Sequence, residues 1–206
     1  QPAELLTIAN HVLGTGQLSL AKFLFIAADD KNQLSTHPVQ PFLQYVLERI
    51  NLQRDVHFYT NTTIDTLDYS GTGLNSGSKV VFAAYGEPIR NLATEVPSVL
   101  NELTQFENPR IVMPGVIAIK TKTFTNYQTV KEEMKMLNYQ LHESVDQLNG
   151  IAMIVVCDDA NFVAANLRNY LWVTYTRCNP SHDIHGIKES VINKHWGCEG
   201  PLVIDA

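Results

Sequence analysis

FLFIAADD at residues 23–30 and AMIVVCDD at residues 152–159 are nearly the same phrase. Each is an apolar run closed by two aspartates, and Asp29 and Asp158 stand 129 positions apart. A helical pattern follows each run. Each copy then reaches the same spaced set: Arg49, Asn51, Asp55 and His57 in the first, Arg177, Asn179, Asp183 and His185 in the second, 128 positions on. Each closes on another short apolar stretch, SKVVFAA (78–84) and GPLVIDA (200–206). A repeat of this length reads as two copies of one α/β unit. Apolar runs without alternation read as buried strands. Strands alternating with helices imply a three-layer α/β/α sandwich with a mostly parallel sheet. Unit one spans about 20–84 and unit two about 150–206, with a connecting segment at 85–149. The two units are expected to supply neighbouring halves of one sheet.

Around these runs, periodicity predicts a helix over 3–13, with Leu5, Leu6, Ala9, Val12 and Leu13 on one stripe. A second helix is predicted before Arg49, with Pro38 or Pro41 near its first turn. VHFYT (56–60) reads as a strand, and Asn61 to Ser78 as a long polar loop of the kind that serves as a lid or mobile segment. A helix is predicted over 93–105 and an alternating strand over 111–120. Another helix is predicted over 126–148, where Val130, Met134, Leu137, Leu141, Val145 and Leu148 recur at spacings of three and four.

The composition is that of an ordinary globular protein, 45% hydrophobic and 17% charged. A formal charge of −6 with no basic block argues against a nucleic-acid partner. No apolar run approaches the roughly 20 residues of a membrane span, and no signal peptide is read. Three cysteines, Cys157, Cys178 and Cys198, are an odd number confined to the second copy, which fits a reducing cytoplasm. The first residue is Gln1, the first methionine Met113 and the last residue Ala206, directly after a strand, so a domain of a longer polypeptide is expected.

The candidate sites each have a plain structural alternative. Asp29/Asp30 and Asp158/Asp159 fall at the carboxyl ends of strands, where ligands of open α/β sheets bind; they also suit helix caps and turns, the favoured reading. SGTGLNSGS (70–78) has neither the spacing of a phosphate loop nor a helix after it. Cys178, His182, His185, His195 and Cys198 have spacings reminiscent of zinc ligands, but His182 and His185 would face opposite sides of a strand, so no metal site is assigned. Arg177 with Asp183, and Arg49 with Asp55, read as ties between a helix end and the next strand. No catalytic or cofactor-binding residue is picked out, and no Gly-x-Ser-x-Gly is present.

Several of these segments together resemble one family. GTGQLSLAKFLFIAADD (14–30), NTTIDTLDYSGTGLNSGSK (61–79), TRCNPSHD (176–183) and PLVIDA (201–206) look like the C-terminal domain of the UbiD-family decarboxylases, the 3-polyprenyl-4-hydroxybenzoate decarboxylase group. The family's pattern is divided here: copy one keeps the loop, copy two keeps the Thr-Arg and the proline, and 85–150 carries no quotable match. The resemblance implies a lyase associated with ubiquinone biosynthesis that uses prenylated FMN, a divalent metal ion and potassium, all held by upstream flavin-binding domains of the same chain. This domain would then assemble a homodimer or higher homo-oligomer and close over the active site, with no catalytic residue of its own. By match of the loop, Ile64 and Leu67 could face the substrate cleft, with His185 and Ile187 as the copy-two counterparts. Helix 126–148 is the candidate interface element. Two other readings stand beside this one: a stand-alone duplicated α/β ligand-binding or interaction module, and a small zinc-dependent enzyme.

Overall fold

A computed structural model describes residues 2–29, 31 and 33–206; Gln1, Asp30 and Asn32 lie outside the described residues. The chain begins with helix α1 (Pro2–Leu13), then strand β1 (Phe23–Ala27), helix α2 (Val39–Arg49), and strands β2 (Val56–Thr62) and β3 (Gly77–Ala84). A hairpin follows, β4 (Glu107–Met113) and β5 (Val116–Lys120), and then helix α3 (Tyr127–Leu141). The remainder is β6 (Met153–Cys157), helices α4 (Ala160–Ala164), α5 (Leu167–Arg177) and α6 (Pro180–Asp183), and strands β7 (Ile184–Gly186), β8 (Glu189–Ile192), β9 (His195–Cys198) and β10 (Leu202–Asp205).

The fold is mixed α/β, but the strands form two main sheets. One has the order β1-β3-β2, the other β4-β5-β6-β10-β7, and β8-β9 is a separate ribbon. The expected single, mostly parallel sheet is corrected: antiparallel pairs (β2/β3, β4/β5, β7/β10, β8/β9) stand beside parallel ones (β1/β3, β5/β6, β6/β10). Within each unit the middle strand of the sheet is the last in sequence. It runs parallel to the first strand and antiparallel to the second, in β1-β3-β2 as in β6-β10-β7. His57 pairs with Val81 and His185 with Val203, so the two histidines hold corresponding places.

Alternation along the central strands explains the layering. Val81 and Ala83 of β3 face Leu5 and Ala9 of α1. Val80, Phe82 and Ala84 face the other way, into a core shared with Leu43, Val46 and Leu47 of α2, Tyr170 and Val173 of α5, and Val155 and Ile204 of the second sheet. The opposite face of that sheet, with Ile117, Ile119, Ile154 and Val203, is covered by Val130, Met134, Leu137 and Leu141 of α3. The apolar stripe of the candidate interface helix is thus spent on its own sheet, with Leu141 fully buried.

Three local expectations fail for local reasons. The strand over 111–120 is broken at Pro114-Gly115, where Gly115 has φ +77° and turns the chain into a hairpin. The helix over 93–105 shrinks to a short 3₁₀ turn at Ser98–Asn101, because Pro97 keeps Val96 out of helical geometry. The helix over 126–148 ends at Leu141 and continues as 3₁₀ turns, with Ser144 at φ −109°, ψ 17°. Among the described residues no helix is long and apolar enough to cross a membrane.

Candidate functional site

Strands β5, β6 and β10 are parallel neighbours, so their carboxyl ends, Lys120, Cys157 and Asp205, share one edge of the second sheet. A cavity of about 330 Å³ opens there, the usual ligand position of an α/β sheet. Its charged lining is mostly acidic: Glu133, Asp158, Asp183 and Asp205 against Lys122 and Arg177. Tyr69, Phe124 and Tyr127 form its apolar rim. Burial pushes the Asp205 carboxyl up to about 7, helped by the nearby charges of Asp183 and Glu133. Asp183 is raised too, again by burial, although the Asn179 backbone N–H and His182 oppose it. Carboxyls crowded in a half-dry space share protons readily, which suits proton storage or a cationic group.

Unit one has the equivalent cavity, about 400 Å³, beyond the ends of β1 and β3. Arg49 and Asp29 line it, as Arg177 and Asp158 line the first. Within the repeated set the contacts differ. Arg177 reaches Asp158 at 3.4 Å, whereas Arg49 turns to Glu48 at 2.8 Å. Asp29 Oδ2 accepts from the Leu34 N–H at 2.5 Å.

The other candidates take structural posts. Asp159 caps α4, accepting from the Phe162 N–H at 3.0 Å. Asp55 and Asp183 each accept from a backbone N–H four residues back, of Asn51 at 2.9 Å and Asn179 at 2.6 Å. These carboxylates do tie a helix end to a strand, but their expected arginine partners are elsewhere: Arg54, missed in the sequence, pairs with Asp55 at 2.6 Å.

The His/Cys set does not assemble. Cys178 and Cys198 are buried and His182 is exposed. His195 lies against His57 of unit one, with ring centres 5.2 Å apart. No group of three or more His, Cys, Asp or Glu able to hold a metal occurs among the described residues. Burial lifts the thiols of Cys157 and Cys198 to about 12, and that of Cys178 well above its ordinary value.

Of the four residues named for a substrate cleft, Ile64 and Ile187 are each 1% exposed and pack in the interior. Ile64 fills the loop from inside: a Cβ on Gly77 would sit 2.7 Å from its Cδ1, so glycine is required there for close approach. His185 is half-buried, its Nε2 without a partner. Leu67 stands out at 77% exposure, next to Tyr69 at 89%. The loop carrying them is pinned from below. Lys22 Nζ meets Asp68 Oδ2 at 2.8 Å and Ser70 Oγ at 2.7 Å, and donates to the Thr176 carbonyl of unit two at 3.3 Å. Sequence reading passed over Lys22, although a lysine opening an apolar strand was a signal of a buried partner.

Residues 1–84 match the model of the 3-octaprenyl-4-hydroxybenzoate carboxy-lyase C-terminal domain. An uncharacterized protein of Chlamydia trachomatis serovar D is 31% identical over 204 residues, 98% of this chain and 32% of its own length. A Chlamydia pneumoniae protein, named as a subunit of 4-hydroxybenzoate decarboxylase, is 30% identical over 203 residues, with the same shares. The chain thus spans about a third of the length of the curated relatives it matches. Over residues 1–84, this chain is similar to the C-terminal domain of the UbiD carboxy-lyases.

Proposed function

We propose that the chain is the C-terminal assembly and lid domain of a UbiD-like decarboxylase acting on an aromatic or α,β-unsaturated carboxylic acid in the cytoplasm. The catalytic centre lies in the rest of the polypeptide, and the assembled enzyme is a homo-oligomer. The observation that carries this reading is the loop between β2 and β3. It is fixed to both units through Lys22 and Asp68, yet presents Leu67 and Tyr69 to solvent. Ordering an exposed apolar pair on a firm base suits a surface that docks against another domain. Ile64 supports that loop from within, and Leu67 is its contact residue. The corresponding turn in unit two, around His185 and Ile187, is closed into the interior, so unit one supplies the lid. We further infer that the units are copies of one ancestor, from their common strand order and pairing.

Prenylated FMN does not fit the described cavities. A flavin phosphate is a dianion, and neither cavity has an excess of cations; the first is acidic. The flavin, the divalent metal and potassium are therefore assigned to the upstream domains. Among the described residues the zinc-enzyme reading has no ligand set to stand on.

The test uses the full-length enzyme. Leu67→Ser with Tyr69→Ser should lower kcat/KM for carbon dioxide release at least tenfold while the protein stays folded and loaded with flavin. The present chain alone should release none. Unchanged turnover in the double variant would remove the lid role.

A further inference from the structure

We propose that the cavity at the carboxyl end of the second sheet binds a small primary amine carried on an aromatic ring, its ammonium group held among Glu133, Asp183 and Asp205. These carboxyls line the cavity from three different elements, α3, α6 and β10. Glu133 and Asp183 are only 8% and 7% exposed, yet each has an oxygen to spare. Thr121 donates to Glu133 Oε2 at 3.3 Å and the Asn179 N–H to Asp183 Oδ2 at 2.6 Å, which leaves Oε1 and Oδ1 without a donor among the described residues. Asp205 feels burial and the charges of Asp183 and Glu133, with no hydrogen bond to ease them. The side-chain atoms that are both sealed from solvent and unpaired are Arg49 Nε, Thr174 Oγ1, His185 Nε2 and His195 Nε2. The carboxyl oxygens are not among them and stay open to the cavity. Acceptors left without donors in a half-dry space call for a ligand that donates.

The acid at Asp205 is not part of the repeated scaffold. Val203 pairs with His185 as Val81 pairs with His57, so Asp205 stands where unit one has Ala83. Ala83 simply packs beneath α1. Glu133 belongs to α3, in the segment between the two units. Both acids are thus particular to this cavity, and both are held in less water than a carboxylate prefers. Charges kept in such a place at a cost to stability mark functional sites.

Charge and shape decide which ligand. The cations nearby are exposed or already paired. Arg177 meets Asp158 at 3.4 Å with both side chains about half exposed, and Lys122 is exposed. Lys22 draws Asp183 down but is itself paired with Asp68. The interior is therefore short of positive charge. A bare metal ion does not supply it, because no group of three His, Cys, Asp or Glu among the described residues can hold one. An ammonium brings three donors and takes oxygens at about 2.8 Å, outside the roughly 2.0–2.6 Å of a metal. Phe124 and Tyr127 meet edge to face with ring centres 5.4 Å apart, and Tyr69 lines the same cavity. They give an aryl group an apolar seat and offer ring faces to a cation. A volume of about 330 Å³ lies at the small end of ligand sites, fit for one ring with a short arm.

The probe is 2-(4-bromophenyl)ethylammonium, with 2-(4-bromophenyl)ethanol as the neutral isostere and the trimethylammonium analogue as a cation without N–H donors. Calorimetry on the full-length protein at pH 8 should show the amine binding at least tenfold more tightly than either, and at least tenfold more weakly in Asp205→Asn and in Glu133→Gln. A bound cation displaces the proton that Asp205 holds up to about 7, while the nearby thiols of Cys157 and Cys178 stay neutral. An alkylammonium, like lysine at about 10.4, stays charged throughout. Affinity should therefore fall about tenfold from pH 8 to pH 6 in the parent protein and stay level in Asp205→Asn. Anomalous scattering from bromine in a soaked crystal should place the ring between Phe124 and Tyr69. Bromine found only elsewhere, a lysine of another domain seated in the cavity, or equal affinity for the alcohol overturns the proposal. So does unchanged affinity in folded Asp205→Asn and Glu133→Gln proteins. Equal binding of the trimethylammonium analogue overturns the choice of a primary amine. If the variants fail to fold, the soak and the alcohol comparison decide.

Discussion

The Ser78 hydroxyl donates to the side-chain oxygen of Asn179 and accepts from the backbone N–H of Ser181, so one buried oxygen of unit one completes two groups of unit two. Ser78 is fully buried and Asn179 nearly so. Removal of the hydroxyl strands both partners away from water. Ser78→Ala should therefore cost about 1–3 kcal/mol, seen as a lower urea midpoint. An unchanged midpoint would show that the contact is replaced by water.

Lys22 and Asp68 form the deepest ion pair of the loop base, with side chains 7% and 18% exposed. Breaking one side of such a pair should cost about 3–5 kcal/mol, so Lys22→Met should destabilise strongly, and Lys22→Met with Asp68→Asn should recover part of the loss. Limited proteolysis should cut the single variant within 63–76 before any other segment. Equal stability of single and double variants would deny the coupling.

Acid should weaken the fold in two steps of the same sign. Burial, then the charge of His195, holds His57 below its ordinary value against the pull of Asp55. Burial likewise lowers His185. Folded imidazoles of lowered pKa bind fewer protons than unfolded ones, so their contribution is complete above about 6.5 and is lost as pH falls below it. Asp68 resists its own burial and is held below its ordinary 3.8 by Lys22 and Ser70. Its contribution is complete above that value and disappears as pH falls through the folded one. In an Asp205→Asn background, which removes the strongest opposing titration, urea midpoints should drop between pH 7 and 5 and again below pH 4. His57→Gln should flatten the first step only.

Asp205 acts in the opposite sense. Its folded pKa is raised to about 7, so the folded state holds the proton that the unfolded state releases above about 4, and stability falls as pH rises through that window. Asp205→Asn should raise the urea midpoint at pH 8 more than at pH 5. The same gain at both pH values would place the carboxylate in contact with water.

The two strand-aspartate runs were legible as strands, and β1 and β6 lie where FLFIAADD and AMIVVCDD stand; β6 is buried throughout, as an unbroken apolar run implies, whereas β1 is an edge strand that is only half-buried. How the strands pair was not legible. Sheet membership depends on contacts between distant segments, so the division into two sheets left no local mark. The β8–β9 ribbon did leave one: ESVINKHWGC carries two short runs about Asn193 and Lys194, both at positive φ, the signature of a tight hairpin. At the site, the arginine and aspartate positions could be read from the repeat. Their partners could not, because Arg54 took Asp55 and Arg49 turned to Glu48. The meeting of His57 with His195 joins residues of different units, which no spacing rule reaches.

The three native thiols lie 0–1% exposed and stay protonated far above neutral pH. Thiolate is the form that attacks a maleimide, so the wild-type chain is a blank background for labelling. A cysteine placed at Leu67 would be the reactive sulfur of this domain, and a fluorophore there would report each approach of a neighbouring domain to the loop. The sealed cysteines thus make this domain its own instrument for watching the closure proposed for it.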